Sequence, residues 1–242
     1  MDKKEQESRE DFYKRIDSYP DKLDLALTEK RHEFGDIYSF IFEPERAVSF
    51  TPGMYAHVAL RDFPEEFGKP VREFSIASAP SESYVQFTMH IRNESPYKQR
   101  MNDLALGDMI SMYKIKGNFV LPEDTHKDVV LIAGGIGITP FHSMMREESK
   151  AVSPRKLTLV HVGRDDFLFE DILSKMPFKQ HRTMRDNIPS TLDNLTKMKS
   201  DSAYYVAGPP GFVDALKEEL SKRGIADGNI YLDWFDNYDD HQ

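Results

Sequence analysis

A glycine-rich segment, GGIGITP at 134–140, contains residues whose types and spacing suit phosphate binding. It follows the apolar run VVLIA, and a short β-branched run that ends in glycine predicts a buried strand before a tight turn. We expect Thr139 to cap a helix beginning at Pro140, because proline lacks an N–H that the first turn leaves unpaired. Glycines let backbone amides approach a ligand, and a helix start offers unpaired N–H groups. Plain packing of a strand against a helix is the alternative explanation for these glycines.

A second segment, REFSIASAP at 72–80, also has a pattern that suits an anionic, aromatic ligand. Arg72 carries a planar guanidinium whose geometry matches phosphate oxygens. Phe74 is two residues further on, so it shares a strand face with Arg72 and can cover an apolar ring. Ser75 would point elsewhere unless the strand bends or ends there. An ordinary strand with a surface arginine and a core phenylalanine is the alternative.

The composition limits the possible classes of protein. The 242 residues suffice for one large domain or two of ordinary size. The absence of cysteine excludes disulfides, thiolate nucleophiles, cysteine-ligated zinc and an iron–sulfur cluster held by this chain. A net charge of −9 argues against nucleic-acid binding. No apolar run approaches the ~18 residues of a membrane span, and the charged N-terminus lacks a signal-peptide core, so we expect a cytoplasmic protein.

Two regions with different patterns must position these segments. Residues 1–20 form a charged arm whose Phe12, Tyr13 and Ile16 recur at near-helical spacing and could dock on the body, and a solvated tail is the alternative. Residues 21–124 contain short alternating runs, which predict an antiparallel barrel or sandwich with one helix over 97–106. Residues 125–242 alternate strand and helix, which predicts a parallel sheet covered on both faces. Ligands bind such sheets where the strand order reverses at the carboxyl ends, and the glycine segment has such a position.

Four motifs in a fixed order connect the two regions to a known family. They are REFS at 72–75, SPYK at 95–98, GGIGITP at 134–140 and AGPP at 207–210. Together they resemble the ferredoxin–NADP reductase superfamily of flavoproteins over most of the chain. The resemblance implies two domains: an FAD-binding antiparallel β-barrel followed by an α/β parallel-sheet domain that binds NAD(P).

On the barrel, the resemblance implies that Arg72 binds the FAD pyrophosphate and that Phe74 covers the flavin, where the family usually has tyrosine. Ser75 would approach flavin N5 and is the predicted catalytic residue. The remaining cofactor-binding positions implied on this side are Glu73, His90, Ile91, Ser95 and Lys98. A lone histidine on a strand is as often structural, so both explanations of His90 stay open.

In the second domain, the resemblance implies contacts with a reduced pyridine nucleotide. The implied positions are Gly134, Gly135, Gly137, Thr139, Pro140, Arg164, Gly208 and Pro209. The family commonly has cysteine where this chain has Ala207; the small side chain leaves room for nicotinamide, and hydride transfer does not require the thiol. We expect valine at position 137 to raise the nucleotide KM without changing the flavin content.

The preference between the two pyridine nucleotides rests on the residues after the second strand of this domain. Arg164 could receive a 2′-phosphate, whereas an acidic residue there would favour NAD. Asp165 and Asp166 follow directly, so the two indications conflict. Arg182 and Arg185 could assist, and NADPH is favoured over NADH.

The aromatic C-terminal segment, with Trp234 and Tyr238, could cover the flavin face that nicotinamide must occupy. Packing of Trp234 into the domain interface is the alternative. The expected activity is hydride transfer between NAD(P)H and flavin N5, with electrons passed to a separate carrier such as ferredoxin or flavodoxin. Such carriers are acidic as a rule, so a local basic patch would be needed. Alternatives are a flavin or quinone reductase and a non-catalytic subunit that senses flavin or nucleotide. No metal is expected.

Overall fold

The computed structural model describes residues 7–152, 155–198 and 201–235. The first part is a six-stranded antiparallel sheet in the order β4-β3-β6-β1-β2-β5. Its strands are β1 (Leu23–Phe34), β2 (Ile37–Pro44), β3 (Tyr55–Leu60), β4 (Val71–Ser75), β5 (Val85–His90) and β6 (Met109–Lys116). The sheet curls so that its edges approach each other: the Ala77 N–H, just after β4, donates to the Gln86 carbonyl of β5 at 2.9 Å. The result is an open barrel.

The barrel encloses a core that alternate strand residues build, as expected for a sheet with one buried face. Leu25, Phe40, Val58 and Phe87 are fully buried there. Helix α1 (Arg9–Asp17) packs outside the barrel, where Ile16 is buried against Ala59 and Tyr113, and Phe12 and Tyr13 pack alongside. The docking of these three arm residues agrees with their helical spacing. Helix α2 (Pro96–Asn102) closes the core with the buried residues Tyr97 and Met101.

The second part is a five-stranded parallel sheet in the order β11-β10-β7-β8-β9. Its strands are β7 (Val129–Gly134), β8 (Leu157–Val162), β9 (Lys179–Thr183), β10 (Ala203–Gly208) and β11 (Ile230–Trp234). The chain runs outward from β7 to β9 and then returns to the other side of β7. The order therefore reverses between β7 and β10, and the glycine segment lies at the carboxyl end of β7.

Helices cover both faces of this sheet, which buries the near-continuous apolar strands. They are α3 (Thr139–Glu148), α4 (Glu170–Leu173), α5 (Ile188–Met198) and α6 (Pro210–Lys222). Phe141 and Leu173 of α3 and α4 belong to the core on one face, and Leu192 and Leu216 of α5 and α6 to the core on the other. Within the described ranges no helix has the length and apolar character required to cross a bilayer.

The predicted architecture is confirmed, while several element limits differ. The run at 72–80 was expected to be one strand, yet β4 ends at Ser75, because the Ile76 N–H donates to Met54 and the next N–H donates to β5. The chain thus leaves one edge of the sheet for the other. The helix expected over 97–106 ends at Asn102. Helix α4 is a single turn, preceded by Phe169 with a left-handed φ of 63°.

Candidate functional site

A cleft of about 360 Å³ lies between the open barrel and the parallel sheet. The barrel contributes β4, the end of β5 and the start of α2, and the sheet contributes the glycine turn and the carboxyl ends of β10 and β11. The lining residues are Tyr55, Arg72, Glu73, Phe74, Ser75, Thr88, Met89, His90, Arg92, Lys98, Ile136, Thr139, Pro209, Asp233, Trp234 and Phe235. The two segments that the sequence analysis selected for phosphate binding therefore open onto one shared space.

Arg72 has a prearranged guanidinium at the barrel side of the cleft. Its Nη1 donates to the Val71 carbonyl at 2.8 Å and to the Lys69 carbonyl at 3.2 Å. Its guanidinium carbon lies 5.3 Å from the centre of the buried Tyr97 ring, a cation–π distance. Its Nε is buried and has no hydrogen-bond partner among the described residues. A buried donor without a partner is costly, so a ligand oxygen is the group that would satisfy it.

Phe74 and Ser75 line the cleft from opposite faces of β4. Phe74 pairs with Ala56 in register and packs against the barrel core, with ring centres of Phe87 and Tyr97 each 6.0 Å away. Ser75 pairs with Tyr55 and is the last residue of the strand. Both can face one ligand because β4 is an edge strand that ends there. In a longer strand, two neighbouring side chains would point to opposite faces and could not reach the same ligand. Because β4 ends at Ser75, this restriction does not apply here.

Glu73, the second residue of the motif, lies beside one histidine and one lysine. Its Oε1 lies 2.9 Å from His57 Nε2 and 3.6 Å from Lys116 Nζ. Burial lowers the pKa of His57, although the neighbouring Glu73 carboxylate opposes this effect. Glu73 therefore lines the cleft mainly as a balanced charge beside Arg72.

His90 lies at the far end of β5 and shares an acidic partner with Arg92. His90 Nδ1 lies 2.7 Å from Asp36 Oδ1, and Arg92 Nε donates to Asp36 Oδ2 at 3.1 Å. Burial tends to raise the pKa of Asp36, but these two hydrogen bonds outweigh it and keep the pKa lowered. Ile91 donates its N–H to the Asp36 carbonyl and packs against the barrel core, outside the cleft lining. His90 thus has a structural partner and still faces the cleft.

Some residues of the SPYK motif stabilise the fold, and one lines the cleft. Ser95 is fully buried, and its side chain caps α2 by accepting from the Lys98 N–H at 3.4 Å. Tyr97 points into the core and donates from its hydroxyl to the Val58 carbonyl at 2.9 Å. Lys98 lines the cleft. Of the two residues predicted from this motif, Lys98 can reach a ligand, and Ser95 positions the helix start.

The glycines of the turn have different roles. A Cβ on Gly134 would lie 2.7 Å from the Phe212 ring, and one on Gly137 would lie 2.2 Å from the Ala207 carbonyl oxygen. Gly135 has a left-handed φ of 54°, is exposed, and would have nothing within 4 Å of a Cβ. Gly134 and Gly137 thus allow close packing on neighbouring elements, while Gly135 leaves space above the turn. Valine at position 137 would disturb β10 itself, so the expectation of a pure KM effect needs correction.

Thr139 does not cap the helix as expected. A 3₁₀ turn over Gly135–Ile138 runs directly into α3, so Thr139 is already helical at φ −57° and ψ −49°. The capping position is Ile138, which offers no side-chain hydrogen bond, and Pro140 is the second helical residue. Thr139 is 2% exposed and lines the cleft, and Pro140 is buried without lining it. The continuous 3₁₀ turn removes the extended residue that a capping side chain requires.

The carboxyl ends of β10 and β11 complete the cleft. Pro209 lines it, and the Gly208 carbonyl accepts from the Phe235 N–H at 2.9 Å. Trp234 is 45% exposed, lines the cleft and donates from Nε1 to Asp214 at 2.9 Å, so it is not packed into the core. Phe235 lines the cleft beside it. Tyr238, the other predicted aromatic residue, lies outside the described residues.

Asp233 lines the cleft with a carboxyl whose pKa is strongly raised. Burial raises the pKa of Asp233 to about 6. A carboxyl with such a pKa exchanges protons near neutral pH, which is a frequent property of functional sites. Sequence reasoning missed it. The available signal was an acidic residue at the carboxyl end of β11, beside the strand that bears the AGPP turn.

The chain is similar in sequence to part of several flavohemoproteins. No protein-family model matches it. A flavohemoprotein from Bacillus subtilis (strain 168) is 23% identical over an alignment 241 residues long. The alignment covers 87% of this chain and 58% of that protein. A flavohemoprotein from Candida albicans is 29% identical over 192 residues, covering 69% of this chain and 47% of that protein. The chain thus spans about half the length of these curated relatives.

Solved structures extend the similarity to the fold. A ferredoxin NADP+ reductase from Neisseria gonorrhoeae with bound FAD and NADP superposes with a TM-score of 0.76 at 18% identity, over 89% of this chain and 99% of that chain. The FAD/NAD-binding domain of a nitric oxide dioxygenase from Vibrio cholerae gives 0.70 at 20% identity, over 88% and 98%. The chain has the ferredoxin–NADP reductase fold. The fold expected from the resemblance is confirmed.

In this ferredoxin–NADP reductase fold, the predicted adenosine contacts lie outside the cleft lining. Arg164 is exposed just after β8. Arg182 is paired, since its Nε donates to Glu170 at 2.6 Å and its Nη2 to Gln180 at 2.9 Å. Arg185 is exposed in the 3₁₀ turn after β9, next to the Arg164 segment because the Gly163 N–H donates to Thr183. Arg164 and Arg185 are therefore both exposed, on neighbouring segments of this edge.

Other residues that line the cleft were also not predicted from the sequence. Tyr55 and Arg92 flank the REFS motif, and Ile136 is the half-buried apolar residue at the tip of the glycine turn. Their positions depend on strand pairing and turn geometry, which the sequence pattern did not indicate. In the described part of the chain, no group of three or more acidic or histidine side chains could hold a metal ion.

Proposed function

We propose that this chain is an FAD-dependent NAD(P)H oxidoreductase module. The observation that carries the proposal is the shared cleft, in which the REFS strand and the turn after β7 face each other. Bound FAD would supply the chemistry of accepting a hydride from NAD(P)H and releasing its electrons to an acceptor. The names of similar proteins agree with the cofactors: one relative in structure contains FAD and NADP, and another is an FAD/NAD-binding domain.

The residues on the barrel side fit FAD. The free Nε of Arg72 supplies a donor for a pyrophosphate oxygen, and Lys98 and Arg92 add positive charge along the same wall. Phe74 offers an apolar ring for the isoalloxazine or ribityl part. We assign Ser75 as the hydroxyl near the reacting flavin atom, since it ends β4 where the barrel meets the glycine turn.

The residues on the sheet side fit a nicotinamide nucleotide. Gly135 leaves open space above the turn, and Ile136, Thr139 and Pro209 form a small, largely uncharged wall. Asp233, with its pKa raised by burial to about 6, would exchange a proton just below neutral pH, close to the aromatic residues Trp234 and Phe235. We assign Arg164 and Arg185 to the adenosine end, where their two positive charges favour NADPH over NADH.

The acceptor is proposed to be a separate one-electron carrier. A ferredoxin or flavodoxin is the carrier that the ferredoxin reductase relatives suggest, and a haem protein is the one that the flavohemoprotein relatives suggest. This chain aligns with only 58% of the Bacillus subtilis flavohemoprotein, so the remaining part of such a protein could supply the haem. The two kinds of acceptor can be distinguished directly by experiment.

The test is the colour of the purified protein followed by anaerobic addition of NADPH or NADH. We expect a yellow protein whose flavin absorbance near 450 nm is bleached within seconds, more efficiently by NADPH. A screen with ferredoxin, flavodoxin, a haem globin, free flavin and a quinone then identifies the acceptor. A yellow protein that responds to neither nucleotide would favour the sensing subunit, and a protein unable to retain FAD would contradict the proposal.

A further inference from the structure

Helix α3 begins at the cleft and continues along the barrel segment that follows the REFS motif. Thr139, its first residue, lines the cleft. His142 and Ser143 are three and four residues further on, so they lie on the same side of the helix one turn later. The barrel segment that they reach is 77–78, which begins two residues after Ser75. One helix face thus contacts both the nucleotide side and the flavin side of the site.

Two fully buried hydrogen bonds join this helix to the barrel. His142 Nδ1 lies 2.7 Å from the Ala77 carbonyl oxygen, and Ser143 Oγ donates to the Ser78 carbonyl oxygen at 2.6 Å. All four residues are 0% exposed. Because a carbonyl only accepts, Nδ1 must carry the proton of the His142 ring. The ring also packs on Phe169, with centres 4.1 Å apart, so its orientation is fixed.

The polar contacts continue from the helix into the barrel wall of the cleft. The Gln86 N–H donates to Ser78 Oγ at 3.1 Å, and the Gln86 side chain donates to Ser39 Oγ at 3.1 Å and Thr88 Oγ1 at 3.3 Å. Thr88 lines the cleft, and its Oγ1 lies 2.8 Å from Ser39 Oγ. Buried networks whose members are mutually bonded hold their groups in one arrangement. Here the arrangement connects α3 to both edge strands of the barrel.

Weaker contacts extend the same interface away from the cleft. Arg146 pairs with Glu82, Glu147 accepts from the Ser81 N–H at 3.1 Å, and Lys150 donates to Ser81 Oγ at 2.7 Å. The two bonds to Ser81 are exposed and therefore contribute less, while the Arg146–Glu82 pair is partly buried and lies further from the cleft. The buried pair nearest the cleft is the part that can define the position of β4 relative to the glycine turn.

We infer that His142 and Ser143 are positioning residues, which set the separation of flavin and nicotinamide by fixing the segment after Ser75 to the helix after the glycine turn. This inference rests on the proposed function. It predicts that weakening the two bonds slows flavin reduction without a matching loss of either cofactor, because each cofactor still has its own binding residues. A misplacement of the reacting groups by about 1 Å is enough to slow such a step by up to about a hundredfold.

The test compares the double variant His142→Leu/Ser143→Ala with the wild-type holoprotein and with a control, Ser149→Ala. Ser149 is next to the same helix, but its hydroxyl donates to the Arg146 carbonyl of that helix and not to the barrel. We expect the double variant to reduce its flavin at least about tenfold more slowly at saturating NADPH, with nucleotide KM and FAD content within about twofold of wild type. The visible difference spectrum produced by adding NADP+ to the oxidised holoprotein should shrink as well, which does not depend on turnover.

His142→Asn is the rescue variant, because an asparagine amide can donate from nearly the same position as Nδ1. It should recover most of the rate and of the difference spectrum that His142→Leu loses. Equal kcat in the wild-type and double variants, or an asparagine no better than leucine, would overturn the inference. Ser143→Ala alone, which leaves a small cavity, decides the question if the double variant does not fold. A wild-type protein that neither nucleotide reduces would instead contradict the proposed function.

Discussion

The two walls of the cleft offer an anion different physical features. The barrel wall uses side-chain charge, with Arg72, Arg92 and Lys98 facing the space. The sheet wall uses backbone geometry, with an exposed Gly135 in a left-handed conformation and a close packing of Gly137 on β10. A side-chain site can lose its ligand while the fold survives, whereas a backbone site is part of the fold. Substitutions on the two walls should therefore separate binding from stability.

The largest effect is expected from Gly137→Val. The new Cβ would lie 2.2 Å from the Ala207 carbonyl oxygen, and this backbone atom cannot move without displacing β10. Overpacking of this kind costs about 3 kcal/mol or more, so the sheet domain should melt far below the wild type. Gly135→Ala is the matched control: it has no such contact and carries only about 1–2 kcal/mol of left-handed strain. Calorimetry measures the Tm of both variants. A Gly137→Val protein with wild-type Tm would contradict the packing role.

Arg72→Ala tests the charged wall, where the fold should persist. Loss of a charge-assisted bond to a phosphate removes about 1.5–3 kcal/mol, which corresponds to a roughly 10- to 100-fold weaker FAD affinity. The measurement is titration of the apoprotein with FAD, followed by flavin fluorescence. Arg46→Ala is the control, since this exposed barrel arginine lies outside the cleft. Equal FAD affinity in the two variants would remove Arg72 from the site.

Asp233→Asn tests the sheet wall through its pH dependence. Burial raises the pKa of Asp233 to about 6, from an ordinary value near 3.8. The folded apoprotein therefore binds this proton more tightly than the unfolded chain, so its contribution to stability is full below pH ~4 and is lost as the pH rises through ~6. At pH 7 the asparagine variant should be more stable by about 3 kcal/mol. The difference should vanish near pH 4 in parallel thermal melts, and a constant difference across that range would contradict the assignment.

The smallest effect is expected at the exposed adenosine end. Arg164→Ala should raise the KM for NADPH about fivefold and leave that for NADH unchanged, because an exposed charge pair contributes at most about 1 kcal/mol. The effect should decrease with added salt, which screens exposed charges. Steady-state kinetics with both nucleotides provide the measurement. A proportional change with NADH would place Arg164 near the part common to the two nucleotides.

The sequence was most informative where the residues of one short segment are enough to determine its structure. The apolar run before GGIGITP indicated β7, and the arginine and phenylalanine of REFS indicated one wall of the cleft. It was least informative where a residue depends on partners far along the chain. Ser95 and Ile91 were expected at the cofactor and are instead engaged in a helix cap and the barrel core. Asp233 was not predicted as a site residue, because its raised pKa arises from burial at a sheet edge.

The sequence by itself determined the two kinds of sheet, their order and the segments that contain the chemistry, because strand alternation, glycine turns and apolar runs are local properties. Only the tertiary structure decided that both segments open onto one cleft, that Gly137 serves packing, and that α3 is bonded to the segment that follows Ser75. These outcomes depend on contacts between residues more than sixty positions apart, and burial and partner geometry are set only when those contacts form.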